Sequence, residues 1–412
     1  MRPKNDHGSP TQTFGDEWRK IKDAAQWRAL IILAGIIILL LKTAYMSGTG
    51  DWLPFYIAAR RFRLGLNPYN AWVLPKGYSF GFPYPPLGLF LLVGPSFFPF
   101  ITGMWIWDLM CLELYVVTVF LWFKMIWGRA PSLREFSLTL AASCAPFTFI
   151  AFAAHHLILP VLFFITAAFY VLAYRKNDFF GGLLTGAMFL KPHMVVLPAL
   201  MLFQKARSKT LFLAGGLILV LGTLAPFMNL YRPVKDLTAM MSRHEVTRTF
   251  FKDEQGLGAL FLQNTFYRGL ARQDTLRSAS GFYAAGSQAV HHYSVEKFSL
   301  TLASWFLWTL FLRRQSVVRP PDLYIAAITV GLLTAVYSHI YDSVLALPFV
   351  LQTVHRLNRI YDLSTIACYG IIFHLASLYA LSVWYAPNGI YWPWLSAATI
   401  GACWLLSRWA RL

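Results

Sequence analysis

Of the chain's 412 residues 57% are hydrophobic, 17% aromatic and only 13% charged, about half the charged share of a soluble domain. With a mean hydropathy of +0.51, that excludes a soluble globular protein and points to a polytopic membrane protein. The formal charge of +18 does not indicate a nucleic-acid partner, because the basic residues stand in short clusters beside apolar runs; they read as topology signals and as attraction for anionic membrane lipids.

In chain order, residues 1–28 are mostly polar and are expected as a cytoplasmic N-terminal segment. The apolar run "ALIILAGIIILLLKTAYM" that follows has no small-residue cleavage site behind it, so it reads as an uncleaved first span near 29–47. Residues 48–86 then form the first loop, opening on "GDWLPFYIAARRF" and closing on "FPYPPLG". Residues 87–101 are apolar but interrupted by Gly94, Pro95 and Pro99, and read as a bent, re-entrant or interfacial segment. Spans are expected near 103–126, 136–152 and 155–174. A hairpin over 179–190 and 193–204 is broken at Lys191-Pro192-His193, since Pro192 removes a backbone donor. After a span near 210–230 comes a polar, mixed-charge segment, 231–297, read either as interfacial helices roofing a site or as a solvated amphipathic loop. Further spans near 298–312, 322–338, 341–354, 361–384 and 394–409 complete an all-α polytopic transmembrane domain over 29–412, with about 12 crossings if 87–126 makes one net crossing.

Lysine and arginine flanking the runs set the expected orientation. Arg19, Lys20, Lys22 and Arg28 put the N-terminus in the cytoplasm, and the clusters at 124–134, 175–176, 205–209, 313–319, 355–359 and 408–411 argue for the same side. The opposite face then collects Asp51, Arg60, Arg61, Tyr84, His155, His156, Lys191, His193, His339 and Asp342. Ionisable residues are costly near hydrocarbon, so their convergence on one face marks a candidate functional site. No metal or other cofactor is expected: the four cysteines are scattered through apolar stretches, and adjacent histidines point about 100° apart on a helix, with no carboxylate or cysteine at ligand spacing.

The patches "YIAARRF" with "GLNPYN" behind Asp51, "FPYPPLG", "GGLLTGAMFLKPHMVVLPALML" and "YSHIYDSVLALPFVL" stand in an order that resembles integral membrane glycosyltransferases of the GT-C fold. Among these the chain is most similar to glycosyltransferase family 87, the polyprenol-phosphate-mannose-dependent mannosyltransferases. The resemblance implies a multi-pass protein of the bacterial inner membrane with its active site on the extracytoplasmic, periplasmic face. It further implies a polyprenyl-phosphate sugar donor, a glycolipid or glycan acceptor, and inversion at the anomeric carbon. An aspartate of the first external loop, matched by Asp51, is the implied general base. The family's histidine near the tenth span matches His339, and its Lys-Pro-His turn matches Lys191, Pro192 and His193. One departure stands out: where family members often carry Gly-Gln, this chain has His155-His156 in "AAHHLIL".

The residues themselves leave alternatives open. Asp51 is either that base or the N-cap of the interfacial helix "WLPFYIAARRF". Arg60 and Arg61, about three helical turns farther on, either hold a lipid phosphate or snorkel to headgroups. Tyr-Pro-Pro at 84–86 is a rigid wall or a direct substrate contact. Lys191 meets a phosphate or is solvated at the hairpin tip, and His339 lies near Asp342 at a spacing of three. A transporter or flippase of lipid-linked sugars is the rival function, although such proteins place paired broken helices and ionisable groups near the midplane.

Overall fold

The computed structural model describes residues 26–38, 40–41, 51–69, 72–73, 79–80, 82, 84–144, 146–228, short stretches within 302–310, 320–334 and 340–373. Residues 1–25 of the expected N-terminal segment 1–28 lie outside the described residues, as do the expected segments 231–297 and 394–409 and His339.

Helices dominate what is described. The first, α1, covers Gln26–Ile38. A twelve-residue helix α2 (Trp52–Arg63) leads into a two-residue antiparallel ladder, β1 (Trp72–Val73) with β2 (Ser79–Phe80), in register Trp72↔Phe80. This ladder is a small departure from an all-α chain. Helix α3 (Pro86–Val93) starts with Pro86 in the first turn, where a missing N–H costs nothing. It stops at Gly94, and a 3₁₀ turn over Pro95–Phe97 follows, so residues 87–101 are not a straight span.

Helix α4 (Phe100–Trp127) runs 28 residues and ends at Gly128, whose φ of 74° is the left-handed conformation a helix C-terminus favours. At 1.5 Å per residue it is about 42 Å long, enough to cross a bilayer with tilt. Helix α7 (Ile158–Tyr170), extended by a π turn over Val171–Arg175, is also long and apolar enough to cross. Between them, α5 (Leu133–Ser143) and α6 (Pro146–Ala153) meet at 83° and pass the same test only as a bent pair. The sequence expectation of one continuous span near 136–152 is therefore corrected to two helices with a sharp bend, placed where Pro146 opens α6.

The broken hairpin appears as α8 (Asp178–Met188) and α9 (Pro192–Lys205), followed by α10 (Lys209–Met228). Both Asp178 carboxylate oxygens accept backbone N–H groups of Arg207 and Ser208 (3.1 and 2.6 Å) at the start of α10. The Lys209 ammonium donates to the Gln204 carbonyl at 2.8 Å, closing the end of α9. After α11 (Pro320–Thr334), the expected span near 341–354 starts as a 3₁₀ segment, Ile340–Ala346. It becomes α-helical only in α12 (Leu347–Leu357); α13 covers Leu363–Phe373.

Helices α8 and α10 touch backbone to backbone. A Cβ placed on Gly182 would collide with the Phe212 carbonyl, one on Gly215 with the Phe179 carbonyl, and one on Gly186 would lie 3.1 Å from the Gly216 oxygen. Gly182 and Gly186 form a small-xxx-small pair, the arrangement that lets helices approach closely in lipid, where hydrophobic burial cannot drive them together. Gly182→Leu is expected to cost about 1–3 kcal/mol or more by overpacking and to lower the melting temperature of the detergent-purified protein. Gly35→Leu, whose Cβ has no neighbour within 4 Å among the described residues, serves as the control and leaves it nearly unchanged.

Candidate active site

The site is built from the front of α2. Asp51 is the N-cap residue of that helix, yet its side chain makes no capping hydrogen bond. Its backbone N–H instead donates to the Ala154 carbonyl at 3.0 Å, tying the loop to the turn between α6 and α7. Trp52, fully buried, donates its indole N–H to the Phe100 carbonyl at 3.0 Å and stacks on Trp107 of α4 with centroids 6.3 Å apart. Two tryptophans thus lock α2 onto α4 directly beside Asp51.

The α6–α7 turn supplies the two histidines. The His156 Nε2 lies 3.7 Å from the Asp51 Oδ2 and hydrogen-bonds the Tyr84 hydroxyl, while its Nδ1 accepts the Ile158 N–H at 3.1 Å. An imidazole that accepts at Nδ1 carries its hydrogen on Nε2, so the ring donates from the edge facing Asp51 and Tyr84. His155 turns the other way: its Nδ1 is 2.7 Å from the Asp108 Oδ1, and its carbonyl accepts the Trp107 indole N–H at 2.9 Å.

Tyr84 is placed by the loop before α3. Asn67 Oδ1 accepts the Tyr69 N–H at 2.8 Å, a side-chain-closed turn, and the Tyr69 hydroxyl then donates to the Tyr84 carbonyl at 3.2 Å. Pro85 holds an extended ψ of 157°, so the chain enters α3 extended. Phe55 lies edge-on to Tyr84 at 5.4 Å and tilted against His156 at 6.1 Å, so aromatic rings fill the space behind the polar edges.

Lys191, the N-cap residue of α9, is 1% exposed and donates to the Asp342 Oδ1 at 2.6 Å. A solvated hairpin tip is thereby excluded: the break between α8 and α9 is inside the protein, and the lysine's anionic partner comes from 151 residues away. Asp342 itself is fully buried.

These groups share one electrostatic neighbourhood. Burial raises the Asp51 carboxyl to about 6; the Lys191 charge lowers it, Asp342 raises it and His155 lowers it. Two-fifths of the Asp51 side-chain surface is open, yet protein surrounds it closely enough for lost hydration to dominate. Burial also pushes the Tyr84 hydroxyl well above its ordinary range, reinforced by Asp51 and Asp342. The Lys191 ammonium is lowered by burial and held up by Asp342 and Asp51.

The structure therefore brings together Asp51, Tyr84, His155, His156, Lys191 and Asp342. Arg60 and Arg61 sit at the far end of α2, about 14 Å along its axis. Arg60 is exposed, and the Arg61 Nε donates to the Asn67 carbonyl at 2.7 Å, stiffening the loop that carries Tyr69. His193 lies in the first turn of α9. Sequence reasoning missed Asp108, a carboxylate 1% exposed in the middle of the apolar helix α4; a charge inside a membrane span was the available signal. Among the described residues no group of three or more His, Cys, Asp or Glu could hold a metal ion.

Neither a curated protein nor a solved structure matches this chain. The profile of glycosyltransferase family 87 does, over residues 82–334, which takes in Tyr84, Asp108, His155, His156, Lys191 and His193 and leaves Asp51, His339 and Asp342 outside. With well over half its length matched and helices apolar enough to cross a bilayer, the chain belongs to glycosyltransferase family 87, a family of membrane glycosyltransferases.

Proposed function

We propose that this protein is a GT-C type inverting glycosyltransferase. It moves a hexose, mannose by family resemblance, from a polyprenyl-phosphate donor to a lipid-linked or glycan acceptor at the extracytoplasmic face of the bacterial inner membrane. The observation that carries the reading is Asp51: a partly open carboxylate, raised to about 6, backed by fully buried polar groups. That is what an inverting transfer asks of its base, which must reach the acceptor hydroxyl and hold its proton near neutral pH. In this reading His156, through Nε2, occupies the Tyr84 oxygen as acceptor, so that the tyrosine O–H is the donor toward a sugar hydroxyl. Lys191, steadied by Asp342, is assigned in this reading to the leaving phosphate, to which it offers a cation. By the family resemblance His193 and His339 are assigned to the donor, and Arg60 and Arg61 to lipid headgroups.

The base works only when deprotonated, so the acid limb of kcat/KM follows the free-enzyme Asp51. Activity is expected to rise about tenfold between pH 5 and pH 7 with a midpoint near 6. A limb centred near 4 contradicts the raised carboxyl, and an acid limb that persists unchanged in Asp51→Asn removes Asp51 from the role. Nuclear magnetic resonance of the product's anomeric centre tests inversion; retained configuration contradicts single displacement by an acceptor activated at Asp51.

A further inference from the structure

Asp108 and His155 form a second buried acid–imidazole pair that the transfer step does not use. The His155 backbone has a φ of 52°, a conformation that is uncommon for residues other than glycine and persists where surrounding structure holds it. Here two neighbours on α4 hold it: Asp108 grips the ring and the Trp107 indole grips the carbonyl. One residue earlier the Ala154 carbonyl takes the Asp51 N–H, and one residue later His156 faces the Asp51 carboxylate. We infer that Asp108 is a positioning residue which, by clamping His155, sets the 154–156 turn under Asp51 and so aims the His156 Nε2 edge at that carboxylate.

This inference rests on Asp51 as the working carboxylate of the proposed transferase. Among the described residues, the charged and titratable groups facing Asp51 are Lys191 at the α8–α9 break, Asp342 in the 3₁₀ segment, Tyr84 before α3, and His155 and His156 in the α6–α7 turn. Of these, only His155 leans on a carboxylate supplied by α4. Removing that carboxylate loosens the turn that aims the His156 N–H edge at Asp51, and so weakens support for the ionised form, while leaving Lys191 and Asp342 in place.

The test is pH-difference infrared spectroscopy of the full-length protein in detergent, with no substrate added. The protonated-carboxyl band that disappears in Asp51→Asn belongs to Asp51, and its titration midpoint is read in wild type, Asp108→Asn and His155→Asn. Asparagine is isosteric at 108, and at 155 it tolerates the left-handed backbone; if either variant misfolds, the other carries the test. The expected result is a midpoint raised by roughly half a unit to one unit in each variant. Folded variants with the wild-type midpoint overturn the inference and leave Asp108 an ordinary anchor. Because this readout involves no transfer, it separates failure of the clamp from failure of the transferase reading. Where transfer is measurable, the acid limb of kcat/KM moves to higher pH in step.

Discussion

Asp51→Asn is expected to lower the transfer rate by about 10²–10⁴-fold, the usual contribution of a positioned general base, with little change in yield or melting temperature. The small structural cost follows from the geometry. The Asp51 side chain makes no capping bond to α2, and the anchors of this segment are its own N–H to the Ala154 carbonyl and the Trp52 indole to the Phe100 carbonyl. Asparagine keeps all of these and removes only the group that accepts a proton. Rates and melting curves measured side by side in one lipid environment check the point. A variant that loses stability along with activity shows Asp51 to be structural, and one that keeps full activity removes it from the chemistry.

The second large effect is expected at Lys191 and Asp342, and it falls first on stability. Both side chains are almost completely buried and meet at 2.6 Å. Asp342→Ala leaves an ammonium group in the protein interior without its carboxylate, an arrangement that costs about 3–5 kcal/mol. Replacing both partners together, Lys191→Met with Asp342→Leu, removes the stranded charge and is expected to recover most of the lost melting temperature, since well-packed apolar residues often substitute for a buried pair. The same double variant is expected to remain inactive, because a leaving phosphate then has no cation at the α8–α9 break. A stable and active double variant confines the pair to folding and takes Lys191 out of phosphate recognition.

Parts of this site are readable in the amino-acid order. Pro192 announces the break that places Lys191, and Pro85-Pro86 announces an extended entry before α3, because proline restricts the backbone whatever surrounds it. The 28 residues of α4 read as a span for a similar reason: length and apolarity suffice. What the order does not carry is partnership. Lys191 finds Asp342 across 151 residues, and His155 finds Asp108 across 47; neither spacing is periodic in a helix or a strand. The doublet His155-His156 looks uniform in sequence, yet the left-handed backbone at 155 sends one ring to α4 and the other to Asp51. Nor does the order show what Arg61 touches: its guanidinium donates to the Asn67 carbonyl and stiffens the loop that carries Tyr69.

The central claim is sugar transfer from a polyprenyl phosphate, and it is tested most directly with the purified protein reconstituted in lipid. Radiolabelled polyprenyl-phosphate mannose and other polyprenyl-phosphate hexoses are supplied as donors, cognate membrane lipids as acceptor, and Asp51→Asn is run in parallel. The account expects label to pass into a new glycolipid or glycan with wild type, and to fall at least a hundredfold in the variant. No product from any donor, together with movement of intact lipid-linked sugar from one leaflet to the other, contradicts it and makes the protein a transporter.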